Sequence, residues 1–247
     1  MSRRGGPVSA LCALPLWIAL ALIGACNNSS SLGPPSDPDY DPMLDASDFD
    51  GRPIDNPYYP LIPGTTFHYQ AQTEDGLEIN DVIVTHDMKQ ILGIMATVVH
   101  DQVFLEDELI EDTFDWYAQD VHGNIWYLGE DSREFEDGEV VSTEGSWEAG
   151  VDNAKPGIVM QAEPQVGQRY YQEFDLGNAE DEAMVVSLNA SATVPFGSFT
   201  GCLETNDFTR LEPDASENKF YCPGTGLILE EAVESGERNE LVGIDGP

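Results

Sequence analysis

The chain has 247 residues and contains 46 Asp plus Glu against 10 Lys plus Arg, which gives a formal net charge of −36 at pH 7. This balance argues against nucleic-acid binding, because proteins bind phosphates by displacing counterions with Lys and Arg. It also argues against electrostatic docking on anionic lipid. Hydrophobic residues make up 41% of the chain, too many for a wholly disordered protein. The length indicates one large or two small folded domains.

Residues 1–25 have the features of an export signal. They contain no acidic residue, and Arg3 and Arg4 precede an apolar run over 11–23 that only Pro15 interrupts. A short apolar run behind basic residues is typical of a secretory signal peptide and is too short for a stable membrane span. We therefore expect residues 1–25 to be a signal peptide.

The end of this segment, Ile23-Gly24-Ala25-Cys26, resembles the lipobox of bacterial lipoproteins, in which an aliphatic residue and two small residues precede the cysteine. In that family the cysteine receives diacylglycerol and becomes the first residue, so the resemblance implies a lipid anchor on Cys26. Several acyl chains would make this anchor stable. In Gram-negative members an Asp in the next position favours the inner membrane, so Asn27 favours the outer membrane or cell surface. An ordinary cleaved signal with an incidental cysteine is the alternative.

The mature chain divides into two parts. Residues 26–56 are rich in Ser, Pro, Asp and Gly and nearly free of aliphatic side chains, which predicts a flexible acidic tether. Residues 57–247 are interpreted as a single all-β domain. Acidic residues occur along the whole chain, which favours solvation at a salty exterior over multivalent cation binding as the reason for the charge.

From residue 58 onward, runs rich in β-branched and aromatic residues alternate with short Asp/Gly turns, the pattern of β-hairpins. Residues 64–147 predict a six-stranded meander, and 168–176, 184–194, 198–211 and 219–231 predict four further strands. No segment with helical periodicity exceeds about two turns outside the signal peptide. We therefore expect an all-β antiparallel meander of about ten strands that forms a strongly curved sheet or a barrel-like shell.

One hairpin can be drawn residue by residue. Centring its turn on His122 places Tyr117 opposite Tyr127 and Ala118 opposite Trp126. Because side chains alternate along a strand, one face is apolar and is expected to face the core: Ile110, Phe114, Trp116, Ala118, Trp126 and Leu128. The other face is expected to be solvated surface or the wall of a ligand groove: Glu111, Thr113, Asp115, Tyr117, Gln119 and Tyr127.

Tyr117 and Tyr127 are therefore the candidate ligand-binding residues. If the sheet curls into a shell, an apolar interior could hold a lipid or another hydrophobic molecule. The sequence leaves open whether side chains fill that interior.

Calcium is the metal that suits this many acidic residues, because it binds six to eight oxygen atoms. Asp120 and Asn124 share a turn that is one candidate site, with capping of the turn as the alternative. The start of a long loop carries the other candidates, Glu144, Glu148 and Asp152, with a structural loop as the alternative. The four histidines lack the spacing of a zinc or copper site: His68, His86, His100 and His122.

Two cysteines remain in the mature chain beside the lipidated one. Cys202 and Cys222 flank a turn region at 211–218 and would lie in an oxidising compartment. A turn centred on Glu212 places them opposite each other, whereas one centred on Ala215 does not. We expect a disulfide that closes a loop of roughly 20 residues and contributes about 3 kcal/mol, with two buried thiols as the alternative.

No nucleophile elbow, P-loop or Rossmann glycine pattern is present. Segments 59–67 and 219–230 resemble parts of uncharacterised exported all-β bacterial proteins, which supports the fold class alone. We expect a non-enzymatic, lipid-anchored binding or accessory lipoprotein of the cell envelope that carries a small molecule or lipid. A calcium-dependent adhesion or structural module and a hydrolase are the alternatives. The expected partners are the membrane, through Cys26, and an unknown envelope protein or small ligand, without nucleic acid. We expect no cofactor, with calcium as the alternative.

Overall fold

The computed structural model describes residues 39–247 as antiparallel strands joined by turns, with one short 3-10 helix at Ala46–Asp48. Glycine and a few Asp and Asn residues with positive φ occupy many of the turns, because these residues tolerate the left-handed conformation. The strands are β1 Thr66–Gln72, β2 Leu77–Ile91, β3 Ile94–Leu105, β4 Glu108–Gln119, β5 Ile125–Asp131, β6 Glu134–Glu136, β7 Glu139–Ser142, β8 Trp147–Glu148, β9 Lys155–Met160, β10 Arg169–Tyr171, β11 Glu173–Phe174, β12 Asp181–Val194, β13 Gly197–Thr209, β14 Ser216–Cys222, β15 Gly226–Ala232 and β16 Arg238–Asp245.

The strands form one antiparallel sheet that curls into a nearly closed barrel. Their order around it is β12, β13, β14, β15, β16, β1, β2, β3, β4, β5 and β9. At the seam β10 pairs with β12, β11 pairs with β9, and the N–H of Gln172 donates to the carbonyl of Asp181 at 2.8 Å. The predicted all-β antiparallel shell is confirmed. The strand count exceeds the expected ten for three reasons. The chain between β5 and β12 forms several short strands, the segment 219–231 forms β14 and β15 instead of one strand, and β16 follows it where no strand was expected.

The hairpin of β4 and β5 has the register that a turn centred on His122 predicts, with Tyr117 opposite Tyr127 and Ala118 opposite Trp126. The prediction for its two faces is half wrong. On the apolar face Trp116, Ala118, Trp126 and Leu128 are buried, whereas Ile110 and Phe114 are half-buried. This face lies outside the barrel, and its buried part packs beneath residues 44–54, where the rings of Phe49 and Trp126 are 6.4 Å apart. The face expected to be solvated or to line a groove points into the barrel and is buried too. Both faces are covered because the barrel encloses one and the N-terminal segment packs on the other.

Part of the predicted tether belongs to the folded domain. The ring of Tyr40 lies 4.8 Å from those of both Tyr171 and Phe174, and Ile54 forms an antiparallel bridge with Leu61. Ile54 is buried, and Tyr40, Leu44 and Phe49 are half-buried against the barrel, whereas Met43 is exposed, so the domain begins before residue 57. Residues 1–38, which include the predicted signal peptide, Cys26 and the rest of the tether, lie outside the described residues.

Cys202 and Cys222 form a disulfide that joins β13 to β14, with their Cα atoms 4.3 Å apart. Next to it Leu203 lies opposite Tyr221, which is the register given by a turn centred on Glu212. The predicted disulfide is confirmed. Over residues 39–247 the structure contains no helix with the length and apolar character needed to cross a membrane.

Candidate functional site in the barrel interior

Four tyrosine rings meet inside the barrel. Tyr117 of β4 and Tyr127 of β5 are direct cross-strand neighbours and stack with their centroids 4.6 Å apart. Tyr59 enters from outside the sheet and meets Tyr117 and Tyr221 edge-on, at 6.0 and 5.8 Å. The structure thus brings together the two residues predicted to bind a ligand and adds two more tyrosines that the sequence analysis did not select.

Acidic side chains surround these tyrosines because alternate residues of most strands point inward. We call the following ten residues the interior carboxyl cluster: Glu78, Asp101, Glu111, Asp115, Glu130, Glu173, Asp181, Asp207, Glu217 and Glu230. Nine of them are buried residues, and the side chain of Glu217 is 13% exposed. A fully ionised cluster would place many uncompensated charges in a region that water hardly reaches, which is strongly unfavourable.

The described structure places one lysine, Lys219, among these acids. Its Nζ lies 3.1 Å from Glu230 Oε1, 3.8 Å from Asp207 Oδ2 and 3.9 Å from Glu217 Oε1. Burial lowers the pKa of Lys219, but the carboxylates of Glu217 and Glu230 outweigh burial and hold that pKa well above its usual value. Lys219 therefore remains charged and compensates only part of the cluster.

Burial moves several carboxyl groups of the cluster towards their neutral form. It raises the pKa of Asp115 to about 7, against the opposing hydrogen bond from Tyr127. It raises the pKa of Asp181 to about 7 as well. Burial raises the pKa of Glu111 to about 8 and that of Glu217 to about 8. These four groups therefore gain or lose protons close to neutral pH.

Hydrogen bonds satisfy only part of the cluster. The hydroxyl of Tyr127 lies 3.0 Å from Glu130 Oε2, and Glu111 Oε1 accepts a hydrogen bond from Thr113 at 2.9 Å. Glu111 Oε2 and Glu173 Oε1 are buried and accept no hydrogen bond. A buried carboxylate oxygen without a donor is costly, whereas a protonated carboxyl group carries a donor of its own. The geometry therefore also favours protonation of some members.

Two small cavities lie on either side of Tyr59, each of about 30 Å³. Tyr59, Tyr117 and Glu230 line both, the first extends to Asp101 and Asp115, and the second is also lined by Glu173, Asp181 and Lys219. A volume of about 30 Å³ accommodates roughly one water molecule. Side chains therefore fill the interior around Tyr59, where acidic groups lie beside apolar side chains such as Phe67 and Val99, and leave no room there for a lipid.

Residues 54–61, which we call the closing segment, cover one end of the barrel and carry Tyr59. The side-chain carbonyl of Gln119 accepts hydrogen bonds from the backbone N–H groups of Asp55 and Asn56 at 3.0 and 2.9 Å. On the opposite side, the N–H of Gly224 donates to the carbonyl of Pro57 at 2.7 Å. The segment is thus fixed to the rim at separate points, while its tyrosine reaches the interior.

The first calcium candidate, the turn with Asp120 and Asn124, is occupied by its own hydrogen bonds. Asp120 accepts from the backbone N–H groups of His122 and Asn124 and from Nε1 of Trp126, each at 2.9 Å. Burial raises the pKa of Asp120, but these hydrogen bonds outweigh it and lower the pKa below its usual value. The geometry is that of a capped turn.

The second set of calcium candidates does not form a cluster. Glu148 pairs with Lys89 at 2.8 Å, and Glu144 and Asp152 are exposed. In the described range, no group of three or more His, Cys, Asp or Glu side chains is arranged to hold a metal ion. On the outer surface, His68 Nδ1 lies 2.6 Å from Asp81 Oδ1, and this hydrogen bond raises the pKa of His68.

Sequence reasoning missed the interior carboxyl cluster because charged residues alternating with other residues usually mark a solvated face. The signal that could have identified it is a repeat of the same pattern on strands far apart in the sequence. Thr205, Asp207 and Thr209 alternate on β13, and Glu217 and Lys219 alternate on β14, as Glu111, Thr113 and Asp115 do on β4. A closed barrel must place one face of each such strand inside.

Comparison with known proteins gives little guidance. No protein-family model matches the chain, and no curated protein matches it. Among solved structures, a crystal structure from Parabacteroides distasonis described as a "putative lipoprotein" has a TM-score of 0.40 and 10% sequence identity. The match covers 76% of this chain and 98% of that one. A similarity at this level carries no argument about fold or function, so both rest on the chain itself.

Proposed function

We propose that the protein is a non-enzymatic lipoprotein of the cell envelope, anchored through lipid on Cys26, that holds a solid, acidic barrel close to the membrane. The lipobox-like sequence supports the anchor. The packing of the chain from Tyr40 onward leaves only residues 27–38 and Asp39 between the two, which span at most about 45 Å even when fully extended. The barrel would therefore work within a short distance of the bilayer.

The observation that carries this proposal is the filled interior. A pocket for a small molecule usually measures about 300–1,000 Å³, whereas the two interior cavities measure about 30 Å³ each. The filled barrel argues against the lipid carrier that the sequence favoured. The carboxyl groups of the interior cluster are buried inside the barrel rather than exposed in a cleft, which supports a protein without hydrolase activity. Binding to an envelope partner would then use the outer surface.

The anchor is tested by expressing the full-length chain and its Cys26→Ser variant in a Gram-negative host with labelled fatty acid. We expect label on the wild-type protein and recovery in the membrane fraction, and neither for Cys26→Ser. Cys12→Ser, which changes a residue inside the signal, is the matched control and should keep both. Label on Cys26→Ser, or none on the wild type, would contradict the anchor.

The filled interior is tested separately by solvent extraction and mass spectrometry of the purified wild-type protein. We expect no organic molecule in stoichiometric amount beyond the acyl chains on Cys26. A stoichiometric lipid or other hydrophobic molecule that survives purification would contradict the filled interior. It would favour a protein that carries a lipid or small molecule.

A further inference from the structure

The interior carboxyl cluster requires positive charge that the protein does not supply. Ten carboxyl groups face one lysine, Lys219, in the described structure. Buried charges are stable only when they are paired and hydrogen-bonded, and Glu111 and Glu173 each have an oxygen without a donor. The folded barrel must therefore hold several of these groups in their protonated form.

The protons are held by groups that titrate near neutrality. The pKa values of Asp115 and Asp181 are raised to about 7, and those of Glu111 and Glu217 to about 8, in each case chiefly by burial. In the unfolded chain these groups return to ordinary values near 4. The folded chain therefore binds more protons than the unfolded one between about pH 4 and 8. The stability that they contribute is complete below about pH 4 and is lost as the pH rises through about 8.

Titratable groups reach this interior from almost every element of the barrel, so no single group acts alone. They are Tyr59 of the closing segment, Tyr69 of β1, Glu78 of β2, Asp101 of β3, Glu111, Asp115 and Tyr117 of β4, Tyr127 and Glu130 of β5, Tyr170 of β10, Glu173 of β11, Asp181 of β12, Asp207 of β13, Glu217, Lys219 and Tyr221 of β14 and Glu230 of β15, with Glu134, Glu144 and Glu212 at the rim. Lys219 is the cation among them, so each proton lost adds to a negative excess.

The closing segment is the part of the structure that lies directly on this cluster without belonging to the sheet. Tyr59 lines both cavities and packs against Tyr117 and Tyr221. Its own pKa is raised by burial first and by the nearby Asp115 second, so its hydroxyl is neutral and offers no charge to balance the acids. Each cavity beside Tyr59 accommodates roughly one water molecule, so any further water that solvates new carboxylates there needs the space that this ring fills.

We propose that the barrel interior is a proton-binding site, and that the external pH controls through it whether the closing segment stays packed on the barrel rim. At low pH the protonated cluster accepts Tyr59 and the barrel is shut. As the pH rises through neutrality, carboxylates accumulate around Tyr59, water enters, and the segment that leads to the N-terminal anchor leaves the rim.

Hydrogen–deuterium exchange of the full-length protein in detergent tests the proposal, with rates corrected for the intrinsic effect of pH and with constant ionic strength. We expect protection of the amides in 54–61 to fall as the pH rises from 6 to 8, by up to about tenfold per pH unit for each carboxyl group that titrates on opening, and to level off by pH 9, where these groups are ionised in both states. Protection in β13 and β14 should fall less. The infrared band of protonated carboxyl groups should fade over the same range.

The double variant Asp115→Asn, Asp181→Asn removes the two titrating groups that line the cavities beside Tyr59, with little change in shape, and should shrink the fall in protection. Asp115→Asn alone is the second variant if the double variant fails to fold, and it should act in the same direction. Glu234→Gln, in an exposed turn, is the matched control and should behave like the wild type.

Three results would overturn the proposal. The first is protection of 54–61 that does not change between pH 6 and 9. The second is a fall of unchanged size in both the double variant and Asp115→Asn. The third is that residues 54–61 lose protection only when the whole barrel unfolds. The closing segment would then not respond by itself to protonation of the interior.

Discussion

Near the closing segment, both faces of strands β3, β4 and β5 are buried, yet they differ in chemistry. The outer face packs beneath residues 44–54 and is apolar; we call it the outer cluster: Ile94, Ala96, Trp116, Ala118, Trp126 and Leu128. The inner face carries Asp101, Glu111, Asp115, Tyr117 and Tyr127. The comparison teaches that in this barrel burial does not imply an apolar environment.

The two faces also stabilise the fold by different means. The outer cluster gains free energy from the removal of apolar surface from water, which does not depend on pH. The inner face depends on stacked tyrosines, hydrogen bonds and bound protons, so its contribution changes with pH. Substitutions on opposite faces of the same strand should therefore respond differently to the same conditions.

The largest expected effect is on the outer face. Trp126→Ala removes a large buried side chain that packs against Phe49 and Ala118, and should lower the free energy of unfolding by about 3–5 kcal/mol. Guanidinium unfolding monitored by far-UV circular dichroism measures it. The loss in free energy of unfolding should be the same at pH 6 and pH 8.5. A loss that varied strongly with pH would contradict the claim that the outer face stabilises the fold independently of pH.

Reduction of the disulfide should have the next largest effect, about 3 kcal/mol for a loop of roughly 20 residues. Cys202 and Cys222 join β13 to β14, which are separated from β3 in the strand order by β15, β16, β1 and β2. We expect reduction to lower amide protection in these two strands before it affects the outer cluster. Exchange measured with and without reductant, with Cys202→Ser, Cys222→Ser as the permanent equivalent, tests this order. Simultaneous loss at both faces would contradict it.

A smaller effect is expected for Tyr127→Phe on the inner face, about 1–3 kcal/mol at pH 7. The change keeps the ring that stacks on Tyr117 but removes the hydroxyl that serves Asp115 and Glu130. Because that hydrogen bond lowers the pKa of Asp115, its loss should raise that pKa further. Chemical unfolding at several pH values checks both effects, with Tyr58→Phe, outside the interior, as the control. No difference between these variants would mean that the hydroxyl network contributes nothing.

The smallest effect is expected at Lys89, whose Nζ lies 3.0 Å from the ring centroid of Trp116 and pairs with Glu148 on the outer surface. Lys89→Gln should cost about 0.5–1 kcal/mol, because the pair is partly exposed. The cost should shrink in high salt, unlike that of Trp126→Ala. Unfolding at low and high sodium chloride separates the two.

The features of the fold that depend on local sequence pattern could be predicted from the sequence. Short Asp/Gly turns between β-branched runs predicted the antiparallel strands, the turn around His122 predicted the β4–β5 register, and Cys202 and Cys222 were paired correctly. The inside and outside of the barrel could not be predicted, because they depend on which face the remote residues 44–54 cover. The interior carboxyl cluster was missed for the same reason, since its members converge only when the sheet closes.

The packing of residues 40–56 along the barrel also has a mechanical consequence. If lipid on Cys26 holds the protein to a membrane, a pull on the barrel is transmitted first to Tyr40 on Tyr171 and Phe174, then to Phe49 on Trp126, and last to Tyr59. These contacts would break one after another before the force acts on the hydrogen bonds of the sheet. The chain between the anchor and the barrel would then lose its contacts one at a time under force, and the closing segment would detach last.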